Sequence, residues 1–177
     1  PFTMTQDFGR DGIYALGGKE ALAHLSDDDI RRILSHRVIV DGLALRALVG
    51  RGFSALVGAE ILETPPLFTG EHSEMSGDFL SLPKRMSPPV LRALPGAKTL
   101  SSIIWRESSY AKDFERVAPA CILYRNRLGG TVAAMSYHLG MGVSYLYSEG
   151  RQRFVNDVLD SLAGKAVDNI CMNAQNV

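Results

Sequence analysis

Cysteine is scarce in this 177-residue chain: Cys121 and Cys171 stand far apart, each among apolar neighbours. A disulfide framework packs cysteines more densely, and a zinc site shows paired ligands at short spacing, so neither is expected. Buried free thiols remain, since free Cys packs as a small hydrophobe. They lean toward a reducing, cytoplasmic setting. An excess of either charge is also missing: 19 Lys and Arg balance 19 Asp and Glu, for a formal net charge of zero. Nucleic-acid and anionic-membrane binders usually carry a basic excess, so neither partner is expected. No apolar run approaches the roughly 20 residues of a membrane span, and the N-terminus has no basic-then-apolar signal pattern. With 46% hydrophobic and 21% charged residues, disorder is excluded as well.

Catalytic signatures are equally thin. Neither G-x-S-x-G nor G-x-C-x-G occurs, so no nucleophile elbow is encoded. The segment Gly140-Met-Gly-Val-Ser144 is too short and apolar for a phosphate loop and reads as a turn. No metal or cofactor is implied.

What is present is an alternation of helical and strand patterns. Ser26 can cap a helix from Asp27 to about Ser35, with three aspartates in its first turn and Leu25 and Ile30 as a hydrophobic staple. Arg37-Val-Ile-Val40 reads as a strand closed by Asp41-Gly42, Leu43 to Val49 as a helix, and Ser54 to Leu62 as a second strand. That succession is a βαβ-like unit with strands apolar enough for burial on both faces. From Thr64 to Pro95, Pro65, Pro66, Pro83, Pro88, Pro89 and Pro95 fall with Gly70 and Gly77, which predicts loops and short edge strands. Lys98 to Trp105 is a strand, and Ala120–Arg125 with Thr131–His138 form an antiparallel hairpin across Asn126-Arg-Leu-Gly-Gly130. A helix opening at Ser148 or Glu149 carries the stripe Phe154, Val155, Val158, Leu159 and Leu162 and ends at Gly164, before a strand from Ala166 to Met172.

Among reactive residues, His72-Ser-Glu74 is the one constellation in which a carboxylate could orient an imidazole. Its Pro-rich context favours solvated polar residues instead. His36 is placed to meet the last carbonyls of the first helix, and His138, at a strand end, reads as packed or hydrogen-bonded. Glu60, Glu63, Glu71, Glu74 and Asp78 are dense enough to suggest paired carboxylates, which glycosidic chemistry requires, but read more simply as a solvated loop face. Trp105, Tyr110, Tyr124, Tyr137, Tyr145 and Tyr147 could line a sugar-binding surface, although the hairpin tyrosines Tyr124 and Tyr137 fit cross-strand packing.

Three segments resemble one family. Leu34 to Gly58, with its Val-Ile-Val-Asp-Gly turn and Arg51-Gly52, Tyr124 to Ala133 with Asn126 and Gly129-Gly130, and the Arg151 to Leu162 helix are similar to the class I glutamine amidotransferase-like domain of bacterial glycoside hydrolase-related proteins. The order and spacing agree over about residues 25 to 170. The resemblance implies a flavodoxin-like mixed α/β sheet flanked by helices, comparable to the trimerisation domain of family 42 β-galactosidases. In such proteins the catalytic carboxylates belong to a separate barrel, and this domain contributes assembly or cleft walls. Active amidotransferases use a Cys in a glycine-flanked elbow and a later His-x-Glu. Cys121 has no elbow, His72-Ser-Glu74 precedes it, and Thr131 stands where the family often has Arg, so no catalytic residue carries over. The expectation is one domain, residues 1–177, cut from a longer chain. It is non-catalytic, without cofactor, and its partners are the other domains of its parent and further copies of itself. The competing expectations are a hydrolase or amidotransferase-like enzyme using Cys121 or His72 and Glu74, and a sugar-binding module.

Overall fold

Strands that are apolar on every residue need cover on both faces. The computed structural model, which describes residues 12–62, 67–82, 90–108, 110–138 and 148–164, supplies that cover with helices. In chain order its elements are β1 (Ile13–Leu16), α1 (Glu20–Ala23), α2 (Asp27–Leu34), β2 (Arg37–Val40), α3 (Gly42–Gly50), α4 (Ser54–Val57), β3 (Ala59–Leu62), β4 (Gly70–Ser73), β5 (Phe79–Leu80), β6 (Val90–Ala93), β7 (Lys98–Trp105), β8 (Glu115–Arg125), β9 (Thr131–Met135) and α5 (Glu149–Ala163). The fold is mixed α/β. Seven strands form one sheet in the order β1-β2-β9-β8-β7-β4-β5, and β3 pairs with β6 in a separate ribbon. β1, β2 and β9 run parallel, and every later pairing in the large sheet is antiparallel.

Side-chain alternation divides the core into two clusters, one on each side of the sheet. Val38, Val40, Val132 and Ala134 face Ile30, Ile33 and Leu34 of α2 and Leu45 and Leu48 of α3. Ile39, Ala133 and Met135 face Phe154, Val158 and Leu162 of α5. The expected stripe of α5 is therefore the buried one. The expected cap is also present: Ser26 accepts from the Asp29 N–H at 3.1 Å while Asp29 accepts from the Ser26 N–H at 3.2 Å, a reciprocal capping box. The Ser26 hydrogen bonds hold the Asp29 carboxyl below its usual range.

Three expectations are corrected. Ser54 to Leu62 is not one strand: Ser54–Val57 is a single helical turn, closed by Gly58 at φ 76°, and only Ala59–Leu62 is extended. Gly58 reverses the chain because it has no Cβ, and one built there would collide with the Tyr124 side chain. Nor does β3 complete a βαβ unit with β2. It pairs antiparallel with β6, and the parallel neighbours of β2 are β1 and β9. β8 also begins at Glu115, earlier than the apolar run implied, and passes through Pro119. Proline cannot donate to a ladder, and a register shift between the Ser101 and Ser102 pairings skips Ala120 beside it. The 64–95 stretch contributes β4, β5 and β6 from its described residues. Pro65, Pro66, Pro83, Pro88, Pro89, Glu63, Gly140–Ser144, Tyr145, Tyr147, Cys171 and the strand expected at Ala166–Met172 lie outside the described residues.

Gly42 is where β2 turns into α3, and a Cβ there would lie 2.5 Å from the Ser136 carbonyl oxygen. Backbone on both sides leaves little room to yield. Gly42→Ala is expected to lower stability by about 2–3 kcal/mol, read as a fall in the denaturant midpoint at unchanged slope.

Candidate functional site

Parallel α/β sheets gather their ligand-binding groups at the carboxyl ends of the strands. Here β1, β2 and β9 end together around Asp41, which is fully buried. As the N-cap of α3, its Oδ1 accepts from the N–H groups of Leu43 at 3.1 Å and Ala44 at 2.9 Å. The Gly18 N–H, in the turn after β1, reaches the same carboxylate at 3.1 Å. Beyond the end of β9, His138 Nδ1 hydrogen-bonds Asp41 Oδ2. Facing an acceptor, Nδ1 carries the hydrogen, and Nε2 is left to accept or pass a proton. The His138 side chain is 28% exposed, so an oriented imidazole reaches the surface at this edge. Two residues earlier, Ser136 Oγ is buried and has no hydrogen-bond partner among the described residues.

A second polar centre lies under α5. Arg151 Nη1 donates to Glu71 Oε2 at 2.6 Å and to Tyr137 Oη at 2.8 Å, and Nη2 donates to the Ser81 carbonyl at 2.9 Å. Ser101 Oγ donates to Glu71 Oε1 at 2.5 Å. All four side chains are buried. Burial works against the Arg151 charge, but Tyr137 and Glu71 more than offset it and raise its pKa. Cys121 sits beside this group with no exposed surface. Burial pushes its thiol well up, and the charge of Glu71 adds to the shift. The same two causes raise Tyr137. A thiol held protonated behind a packed sheet is no nucleophile at neutral pH.

His72 and Glu74 do come together, with Nδ1 and Oε1 3.6 Å apart. The carboxylate is already taken. Arg116 Nε and Nη2 grip its two oxygens at 2.7 and 2.9 Å, and Ser102 Oγ donates at 2.7 Å. The Arg116 bonds dominate in holding the Glu74 carboxyl down to about 2, against the opposing pull of burial. The imidazole packs between the rings of Phe79 and Phe114, with centroids at 5.3 and 4.7 Å. The His72 side chain is only 12% exposed and its Nδ1 has no hydrogen-bond partner among the described residues, so the imidazole is held by ring packing beside an occupied carboxylate.

The acidic cluster disperses. Glu60 pairs with Arg92 across the β3–β6 ribbon, Asp78 with Arg153, Glu71 points into the α5 core and Glu74 toward the outer surface. Among the described residues, no three His, Cys, Asp or Glu side chains converge on a metal position. Tyr124 packs on Gly58 and Tyr137 is buried, whereas Tyr110, Trp105 and Phe79 are exposed. His36 caps as expected only through its backbone N–H, at 3.0 Å from the Ile33 carbonyl; its ring lies against Tyr14. Sequence reasoning passed over Asp41 with His138 and Glu71 with Arg151. Asp41-Gly42 marked a strand end, but only the β2–β9 pairing places that end beside His138.

Arg151→Met would leave the Glu71 charge buried and alone, and is expected to cost about 3–5 kcal/mol in a urea titration. Adding Glu71→Gln to it should restore part of that loss. Glu74, lowered from 4.5 to about 2 on folding, contributes stability that is complete above pH 4.5 and disappears as pH falls toward 2. Melting temperatures across that window should fall less steeply in Glu74→Gln. Compared with known proteins, the chain matches no family model, no curated protein and no solved structure.

Proposed function

We propose that this chain is a non-catalytic domain of a larger carbohydrate-active, glycoside hydrolase-like protein, serving assembly or the positioning of a cleft. One observation carries the reading: the thiol and the two carboxylates of β4 that the sequence nominates, Cys121, Glu71 and Glu74, are consumed by the fold. Cys121 is buried and its thiol pushed up, Glu74 is clamped by Arg116 and Ser102, and Glu71 is spent on Arg151. The resemblance to the class I glutamine amidotransferase-like domain supports the same conclusion, as does the parallel arrangement of β1, β2 and β9 between helices for a flavodoxin-like ancestry of the sheet. Phe79 at 46% and Trp105 at 42% exposure, on the antiparallel half, suit contact with other domains of the parent chain or with further copies. The free thiol of Cys121 agrees with a cytoplasmic setting.

A second reading, a hydrolase, draws on Asp41 and His138: an imidazole oriented by a buried carboxylate at the strand ends is equipped for general base work. One set of assays separates the two. Incubated with nitrophenyl glycosides and with glutamine, the purified chain is expected to show no turnover. Cys121 is expected to react with a disulfide reagent only on unfolding. Turnover that vanishes in His138→Asn and survives in Cys121→Ser would establish the second reading, and rapid thiol reaction at neutral pH would overturn the first.

A further inference from the structure

At the opposite end of the parallel strands from Asp41, a polar cleft of about 330 Å³ opens where β2 and β9 begin and β8 ends. Ser35, His36, Arg37, Arg125, Gly129 and Thr131 line it, and no Asp or Glu is among its described lining residues. Strand register builds its cationic wall. Arg37 pairs with Thr131 across β2 and β9, and Thr131 pairs with Arg125 across β9 and β8. Side chains in one cross-strand row share a face, so the two guanidinium-bearing positions flank Thr131, two strand spacings or about 10 Å apart. Arg125 forms no ion pair with any described residue.

The backbone around the cleft is held rigidly. Asn126 is buried; its Nδ2 donates to the Leu34 carbonyl at 2.8 Å and the Leu56 carbonyl at 3.1 Å, and its Oδ1 accepts from the Leu128 and Gly130 N–H groups at 3.0 and 3.2 Å. The Thr131 N–H donates to the His36 carbonyl at 3.0 Å. The α2 C-terminus, whose free carbonyls would oppose an anion, is closed. The Ser35 N–H takes the Arg31 and Arg32 carbonyls, the His36 N–H takes that of Ile33, and Asn126 takes that of Leu34.

We infer that this cleft binds a small oxyanion, the phosphate or carboxylate group of a soluble ligand, anchored by the Arg125 guanidinium with the Thr131 hydroxyl as a further donor. A planar fork of N–H donors matches such a group in a bidentate manner. The site is separate from Asp41 and His138 and does not depend on whether the domain is catalytic. The test is amide-resolved NMR titration of the whole chain at low ionic strength, with sodium phosphate in one arm and sodium glucuronate in the other. Saturable shifts confined to residues 35–37 and 125–131 are expected, and the tighter arm identifies the source of the anion. Arg125→Ala should weaken binding about tenfold or more, as loss of a charge-assisted pair does. Arg127→Ala, on the same hairpin connection but outside the cleft lining, should leave it unchanged. Absence of saturation in both arms, or equal weakening by the two substitutions, would overturn the assignment.

Discussion

The buried pair of Arg151 with Glu71 is the constraint on which the two halves of this molecule depend. Taking both charges out of water is costly, and attraction repays that cost only when geometry is good and every remaining donor and acceptor is occupied. Here Ser101, Tyr137 and the Ser81 carbonyl add hydrogen bonds around the pair. Each of those groups sits on a different segment. The pair therefore ties α5 simultaneously to β4, to β7, to the end of β9 and to the chain after β5. Apolar packing of Phe154, Val158 and Leu162 would hold α5 on the sheet, but apolar contact is non-directional. The guanidinium sets which turn of the helix lies over which strand.

Asp41 does comparable work on the other half. One carboxylate closes the first turn of α3, receives the turn after β1 and meets His138 beyond β9. The neighbouring Gly42 is obligatory because the Ser136 carbonyl occupies the space of a side chain. The carboxyl ends of three parallel strands are thus knotted into one hydrogen-bonded group. In this fold class the same position serves ligands, and the His138 ring, partly exposed, carries this hydrogen-bonded group to the surface.

The clustered residues on β4 illustrate why density in a sequence is a poor guide to chemistry. A strand sends successive side chains to opposite faces, so Glu71 and His72 diverge and His72 and Glu74 converge. Convergence alone does not make a catalyst. Arg116, more than forty residues downstream on β8, reaches Glu74 across β7 and fixes its charge. Cys121 shows the same separation of identity from role: its thiol lies inside the α5 core, where burial removes its acidity.

Local features were legible wherever a residue interacts within a few positions of itself. The Ser26 cap of α2, the apolar stripe of α5, the αL glycine ending α5 and the glycine-bearing hairpin at Asn126 are all short-range physics written in residue type and spacing. That no helix among the described residues is long and apolar enough to cross a membrane, and the mixed α/β class itself, followed in the same way. The helical turn at Ser54 was missed because a single turn has no period to detect, and its stop, Gly58, is as compatible with a strand bend. Strand partners other than the β8–β9 hairpin, the Arg151–Glu71 pair, the Asp41–His138 contact and the placing of Arg37 beside Thr131 were decided only by the tertiary fold. Each joins segments distant in the chain, and the free energy that selects them comes from burial and register across the whole sheet, which no local pattern contains.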